Sequence, residues 1–128
     1  MQANWQREVD ELHEFFQALF LGQIDSMDRA DAAFGSDFTF VGPDGLLADR
    51  GQILEMLESG RGHSSELAIG VEGHRTIVEA GALIVGEYIE VHEVADGGNR
   101  RRTTVVFDVD PDGPNGVRWR HVHETWLS

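Results

Sequence analysis

Val117-Arg118-Trp119-Arg120-His121-Val122-His123-Glu124-Thr125-Trp126-Leu127 reads as a β-strand, alternating bulky apolar or aromatic residues with polar ones. Successive strand side chains point to opposite faces. Trp119, His121, His123, Thr125 and Leu127 are therefore expected on one side, and Arg118, Arg120, Val122, Glu124 and Trp126 on the other. Neither side is purely apolar. A face with two imidazoles, an indole and a hydroxyl can line a cavity, whereas the opposite face sets charges beside a large aromatic suited to a partner subunit.

The segments before this strand fall into two groups. Trp5, Val9, Leu12, Phe16, Leu19 and Phe20 recur at three- and four-residue spacings, which predicts an amphipathic helix capped by Asn4 and ended near Gly22. His13 and Glu14 are expected to be solvated on it. A shorter helix is expected from Asp25 or Ser26 to Gly35, with Met27, Ala30, Ala33 and Phe34 as its apolar side. Asp37–Val41 then reads as a strand, Gly42-Pro43-Asp44-Gly45 as a turn, and Asp49 with Gln52 as the reciprocal cap of a third helix burying Ile53, Leu54, Met56 and Leu57.

After His63 the chain becomes a series of strands. Runs are expected at 66–72, 74–79, 82–94 and 100–110, with a hairpin turn at 95–99 and a Pro/Gly-rich turn at 111–116. In the long run, Ile84, Tyr88, Glu90 and His92 share one face. Helices first and a strand meander afterwards predict one α+β domain over residues 1–128, three N-terminal helices covering one face of a mostly antiparallel sheet. Such a sheet, if strongly bent, leaves a hollow between itself and the helices, and its outer face then needs water or a partner.

Composition narrows the function classes. The 128 residues carry a formal net charge of -13, every basic residue is Arg, and there is no cysteine. That balance argues against nucleic acid and anionic membranes as partners, and the missing thiols exclude disulfides and thiolate zinc sites. The N-terminal residues turn acidic where a signal peptide would turn apolar, and no run approaches a membrane span, so a cytoplasmic protein is expected.

The helix order, the Asp37-Phe38-Thr39-Phe40-Val41-Gly42-Pro43-Asp44-Gly45 hairpin, the helix opening Asp49-Arg50-Gly51 and the closing Trp119-x-His121-x-His123 strand resemble the nuclear transport factor two-like superfamily. Within it, the chain is similar to SnoaL-like cyclases and to stand-alone relatives of the calcium/calmodulin-dependent protein kinase association domain. The resemblance implies a cone with a cystatin-like fold, a pocket between sheet and helices, and a homodimer through the outer sheet face. Ketosteroid isomerases of this superfamily use an Asp directly before a Pro and a first-helix Tyr. Here Gly42 precedes Pro43 and the only tyrosine is Tyr88, which argues against that chemistry.

Tyr88, His92, Trp119, His121 and His123 are the expected ligand-binding residues, and the expected ligand is a small, moderately apolar molecule. A His-x-His pair spans ~7 Å along a strand, so His121 and His123 would hold a metal only if His92 or Glu90 approached from a neighbour. No metal and no cofactor is expected. One alternative is a cyclase- or isomerase-like enzyme with His121 or His123 as general base, oriented by Asp37, Glu87, Glu90 or Asp108. Another is a pure association module with Trp126 at the dimer interface. Arg100-Arg101-Arg102 reads either as an anion-binding rim or as a charged hairpin base.

Overall fold

In the computed structural model, which describes residues 3–127, the elements run in the expected order. Helix α1 (Trp5–Phe20) begins where the Asn4 side chain accepts from the Arg7 amide. Helix α2 (Asp28–Ala33) is shorter than expected, because Phe34 already opens strand β1 (Phe34–Val41). After a tight turn, β2 (Leu47–Asp49) pairs back on β1, and helix α3 (Arg50–Ser59) starts from the expected Asp49/Gln52 capping box. Ile53 and Leu57 are its buried side. Leu54 is half-buried and Met56 is 56% exposed, so the expected α3 stripe is narrower than read.

Four long strands follow, β3 (Ala68–Ala80), β4 (Leu83–Val94), β5 (Gly97–Val109) and β6 (Val117–Leu127). The two runs expected at 66–72 and 74–79 form the single strand β3, interrupted by a register shift between Glu72 and Arg75. Gly73 lies inside that shift at φ +67, a left-handed conformation open to glycine at little cost, so the strand bends there without ending.

The six strands make one curved sheet in the order β2-β1-β6-β5-β4-β3, antiparallel throughout except for the β1–β6 pair. Its concave face receives α1 and α3. The core between the layers is largely aromatic, with Trp5, Phe34, Phe38, Tyr88, Phe107 and Trp119 buried. One close approach sets the fit: a Cβ built on Gly86 of β4 would stand 2.7 Å from the Trp5 ring, so only hydrogen can occupy that spot.

A buried ion pair fastens the N-terminal layer to the closing strand. Glu8 is fully buried on α1 and accepts from Arg29 at 2.6 Å, from Trp119 Nε1 at 2.9 Å and from Asn115 Nδ2 at 3.0 Å. With a guanidinium and two neutral donors around it, the carboxylate is satisfied, which is the condition for burying such a charge.

Candidate functional site

Strand β6 departs from simple alternation at Arg120. Phe107 of β5 pairs with Trp119 and Val106 with His121, so Arg120 is an extra residue that leaves a bulge in the ladder. One additional residue moves every side chain after it to the opposite face. Trp119 faces the helices as expected. Beyond the bulge, Val122 and Glu124 are the buried residues, and His121 and His123 turn to the convex side, half-buried and exposed respectively.

This corrects the central expectation. His121 and His123 do not line the hollow, so neither the ligand contacts nor the general-base role read for them has a place there. His121 Nδ1 instead meets the Thr39 hydroxyl at 2.7 Å, and its pKa is lowered by partial burial and by His123 beside it. Glu90 and His92, on the concave face, cannot join the pair around a metal. Among the described residues no group of three or more His, Cys, Asp or Glu is placed to hold a metal ion. The same flip moves Trp126 onto the concave side, where it stands 50% exposed with the Arg101 guanidinium 4.7 Å above its ring, not on the outer face where a dimer contact was expected.

Tyr88, His92 and Trp119 do lie in the hollow. It is a cavity of about 150 Å³ between the helices and the concave face. Its walls are apolar, with Phe16 and Phe20 from α1, Phe34, Phe38 and Phe40 from β1, and Ile53, Met56 and Leu57 from α3. Its polar end is a grid set by strand register. Tyr88 of β4 is opposite Thr103 of β5, which is opposite Glu124 of β6; one step on, Glu90 is opposite Arg101, which is opposite Trp126. These side chains share one face because directly paired residues do.

His13 completes the polar end. It was expected to be solvated, but it is almost fully buried on α1. Its Nδ1 donates to the Val9 carbonyl at 2.7 Å and its Nε2 donates to Glu90 Oε1 at 2.9 Å. Both ring nitrogens thus face acceptors, the arrangement of an imidazolium. Glu90 Oε2 accepts from His92 Nε2 at 2.5 Å, and Arg101 donates to Glu124 Oε1 at 3.3 Å.

Burial and charge act on these groups in opposite ways. Burial by itself disfavours the His13 cation, but the Glu90 carboxylate and the two hydrogen bonds outweigh it and raise the pKa. Burial likewise opposes ionisation of Glu90, yet His13 and then His92 hold its carboxyl well below the usual range. Glu124 has no such support. Burial first, and the Glu90 charge second, push it to about 7, with Arg101 offsetting only part. Burial and the same two carboxyls raise Tyr88 well above its ordinary value, so it stays a neutral phenol.

Of the other orienting acids, Glu87 pairs with Arg75 and Arg102, and Asp108 with Arg120, all away from the hollow. The Arg100-Arg101-Arg102 run divides by strand parity: Arg101 points inward, while Arg100 meets Glu72 and Arg102 meets Glu87. Two of the missed site residues had a signal in the sequence. His13 sits four residues after Val9 and three before Phe16, on the buried stripe, and Arg101 falls opposite Glu90 because the hairpin turns over Ala95 and Asp96 alone, a shorter turn than the expected 95–99. Glu124 had none, because its inward direction depends on the bulge.

No family model matches the chain, and no curated protein aligns with it. Solved structures do match. An NTF2-like protein of unknown function from Pseudomonas aeruginosa superposes with a TM-score of 0.87 at 28% identity, over 97% of this chain and 98% of that one. The fold is NTF2-like. A CaMKII hub from S. rosetta shares it at TM-score 0.71 and 18% identity, over 94% of this chain and 93% of the other. A protein with a cystatin-like fold from Caulobacter vibrioides does so at 0.67 and 15%, over 95% and 87%. The expected α+β cone is therefore the observed one. No helix among the described residues is long and apolar enough to cross a membrane.

Proposed function

We propose that this protein binds a small molecule in the hollow. The observation that carries the reading is the pairing of aromatic walls with a single polar end, where His13, Glu90, His92, Arg101 and Glu124 converge on one side of the cavity. A few convergent polar groups in an otherwise apolar concavity are the usual make-up of a ligand site. The binding residues of this reading are Tyr88, Glu90, His92, Arg101, Trp119 and Glu124, with His121 and His123 removed.

A fragment screen by thermal shift tests it. Ligand at 100 times its Kd stabilises by about 2.7 kcal/mol, an easily measured rise. Hits should shift wild type and His123→Ala equally and fail to shift Phe38→Trp, whose larger ring occupies the cavity. A screen with no hits, or hits indifferent to Phe38→Trp, would overturn the proposal.

Self-association across the convex face is a second reading, supported by a different observation. Val85, Val106 and His121 form one outward row across β4, β5 and β6, Glu87, Thr104 and His123 the next, and Ile89, Arg102 and Thr125 a third. Together with exposed Leu83, this sets half-exposed apolar side chains beside paired charges, a composition common at protein interfaces. The likeness to a protein described as a CaMKII hub points the same way. Ile89→Glu should lower the mass measured by light scattering to that of one chain; an unchanged mass would exclude this face.

A further inference from the structure

We infer that the hollow takes an uncharged molecule the size of a single six-membered ring, carrying one hydroxyl that donates to the Glu90 or the Glu124 carboxyl. This inference rests on the reading of the hollow as a ligand site and adds the size, charge and polar group of the ligand.

Size comes from the cavity. At about 150 Å³ it has the volume of an engineered protein cavity that accommodates benzene. Its walls favour an aromatic ring over an aliphatic one. Phe34 and Phe38 stand with centroids 4.4 Å apart, and Phe16 and Phe20 are stacked at 6.2 Å, so an inserted ring meets faces and edges of other rings.

The polar group follows from counting donors and acceptors. Most donors at the polar end are engaged: both His13 nitrogens on Val9 and Glu90, His92 Nε2 on Glu90, and the Arg101 amino groups on Glu124 and Asn99; the buried Arg101 Nε and Thr103 hydroxyl have no partner among the described residues. The carboxyls are not saturated. Two ionised carboxylates offer about eight lone-pair positions, more than these donors fill even where Glu124 keeps its proton. A hydroxyl, which donates one hydrogen bond and accepts others, suits the free carboxyl positions and the unpartnered donors together.

Charge follows from the walls. A carboxylate ligand would lose its hydration among phenylalanines and face Glu90, while an ammonium would lose its hydration with His13 and Arg101 already supplying positive charge. A hydroxyl meets the same acceptors without that cost.

Isothermal titration of wild type with phenol, benzyl alcohol, toluene, benzoate, benzylamine and 2-naphthol separates the elements of the inference. Phenol or benzyl alcohol should bind up to about tenfold more tightly than toluene, the worth of one hydrogen bond. Benzoate and benzylamine should bind at least tenfold more weakly than either hydroxyl compound, and 2-naphthol should gain nothing from its second ring. Toluene equal to phenol would overturn the donor assignment, tight benzoate or benzylamine the charge, and tighter 2-naphthol the size, each leaving a ligand pocket in place. If none of the six binds, while a wider screen yields pocket ligands of other chemistry, this inference alone falls; if the wider screen is also empty, the pocket reading falls with it. Phe38→Trp and Ile53→Phe, two independent ways to fill the cavity, should each abolish phenol binding with the circular dichroism unchanged. Binding retained in both folded variants would place phenol elsewhere and overturn the inference.

Discussion

Replacing Glu124 by Gln removes a buried carboxyl that the fold holds against ionisation. The side chain is 5% exposed, and its pKa is pushed from an ordinary 4.5 to about 7 by burial and then by the charge of Glu90. At about 1.36 kcal/mol for each tenfold in proton affinity, the difference is worth about 3 kcal/mol. The sign follows from which state holds the proton more tightly. The folded chain does, so as pH rises from about 4.5 the unfolded chain releases its proton first, stability falls until about 7, and the full cost persists above. His13 works in the same direction: its raised pKa stabilises the fold in acid, and that contribution fades as pH rises through the folded value. Glu90 is depressed and contributes at every pH above its ordinary value. Both remain in Glu124→Gln, so the difference between the two proteins isolates Glu124. Melting temperatures of wild type and Glu124→Gln, followed by circular dichroism from pH 5 to pH 8, should diverge, wild type falling by about 10 °C more for a chain of this size. Parallel curves would refute the assignment of a buried, charge-opposed carboxyl at this position.

Gly86→Ala forces a methyl to within 2.7 Å of the Trp5 ring and should lower the urea unfolding free energy by about 1–3 kcal/mol, as overpacking does. Glu8→Ala leaves Arg29 and Trp119 Nε1 without their shared acceptor; a loss of about 3 kcal/mol or more is expected from breaking a buried pair, read by guanidinium denaturation. Trp126→Ala removes only a half-exposed ring under Arg101, so it should cost about 0.5–1 kcal/mol and leave the solution mass unchanged by light scattering.

Local rules carried the reading a long way. The Asn4 cap, the Asp49/Gln52 capping box, the turn at 42–45 and the inward face of Ile84, Tyr88, Glu90 and His92 all depend on residues close together in the chain, and all are where the sequence places them. Helix order and strand meander were enough for the α+β class, and the family resemblance supplied the cone. His13 is legible too, since helical spacing alone puts it on the buried stripe, although histidine is more often a surface residue.

What the sequence by itself determined is thus the order of elements and the caps of α1 and α3, because caps, turns and periodicity act over a few residues. Only the tertiary structure decided which face of the closing strand looks inward. Strand β6 must pair with β5 on one side and with β1 in parallel on the other, and the ladder meets both partners by setting Arg120 outside the register. That single extra residue buries Glu124 and turns His121 and His123 outward, a consequence of partners far away in the chain that alternation within the strand does not contain.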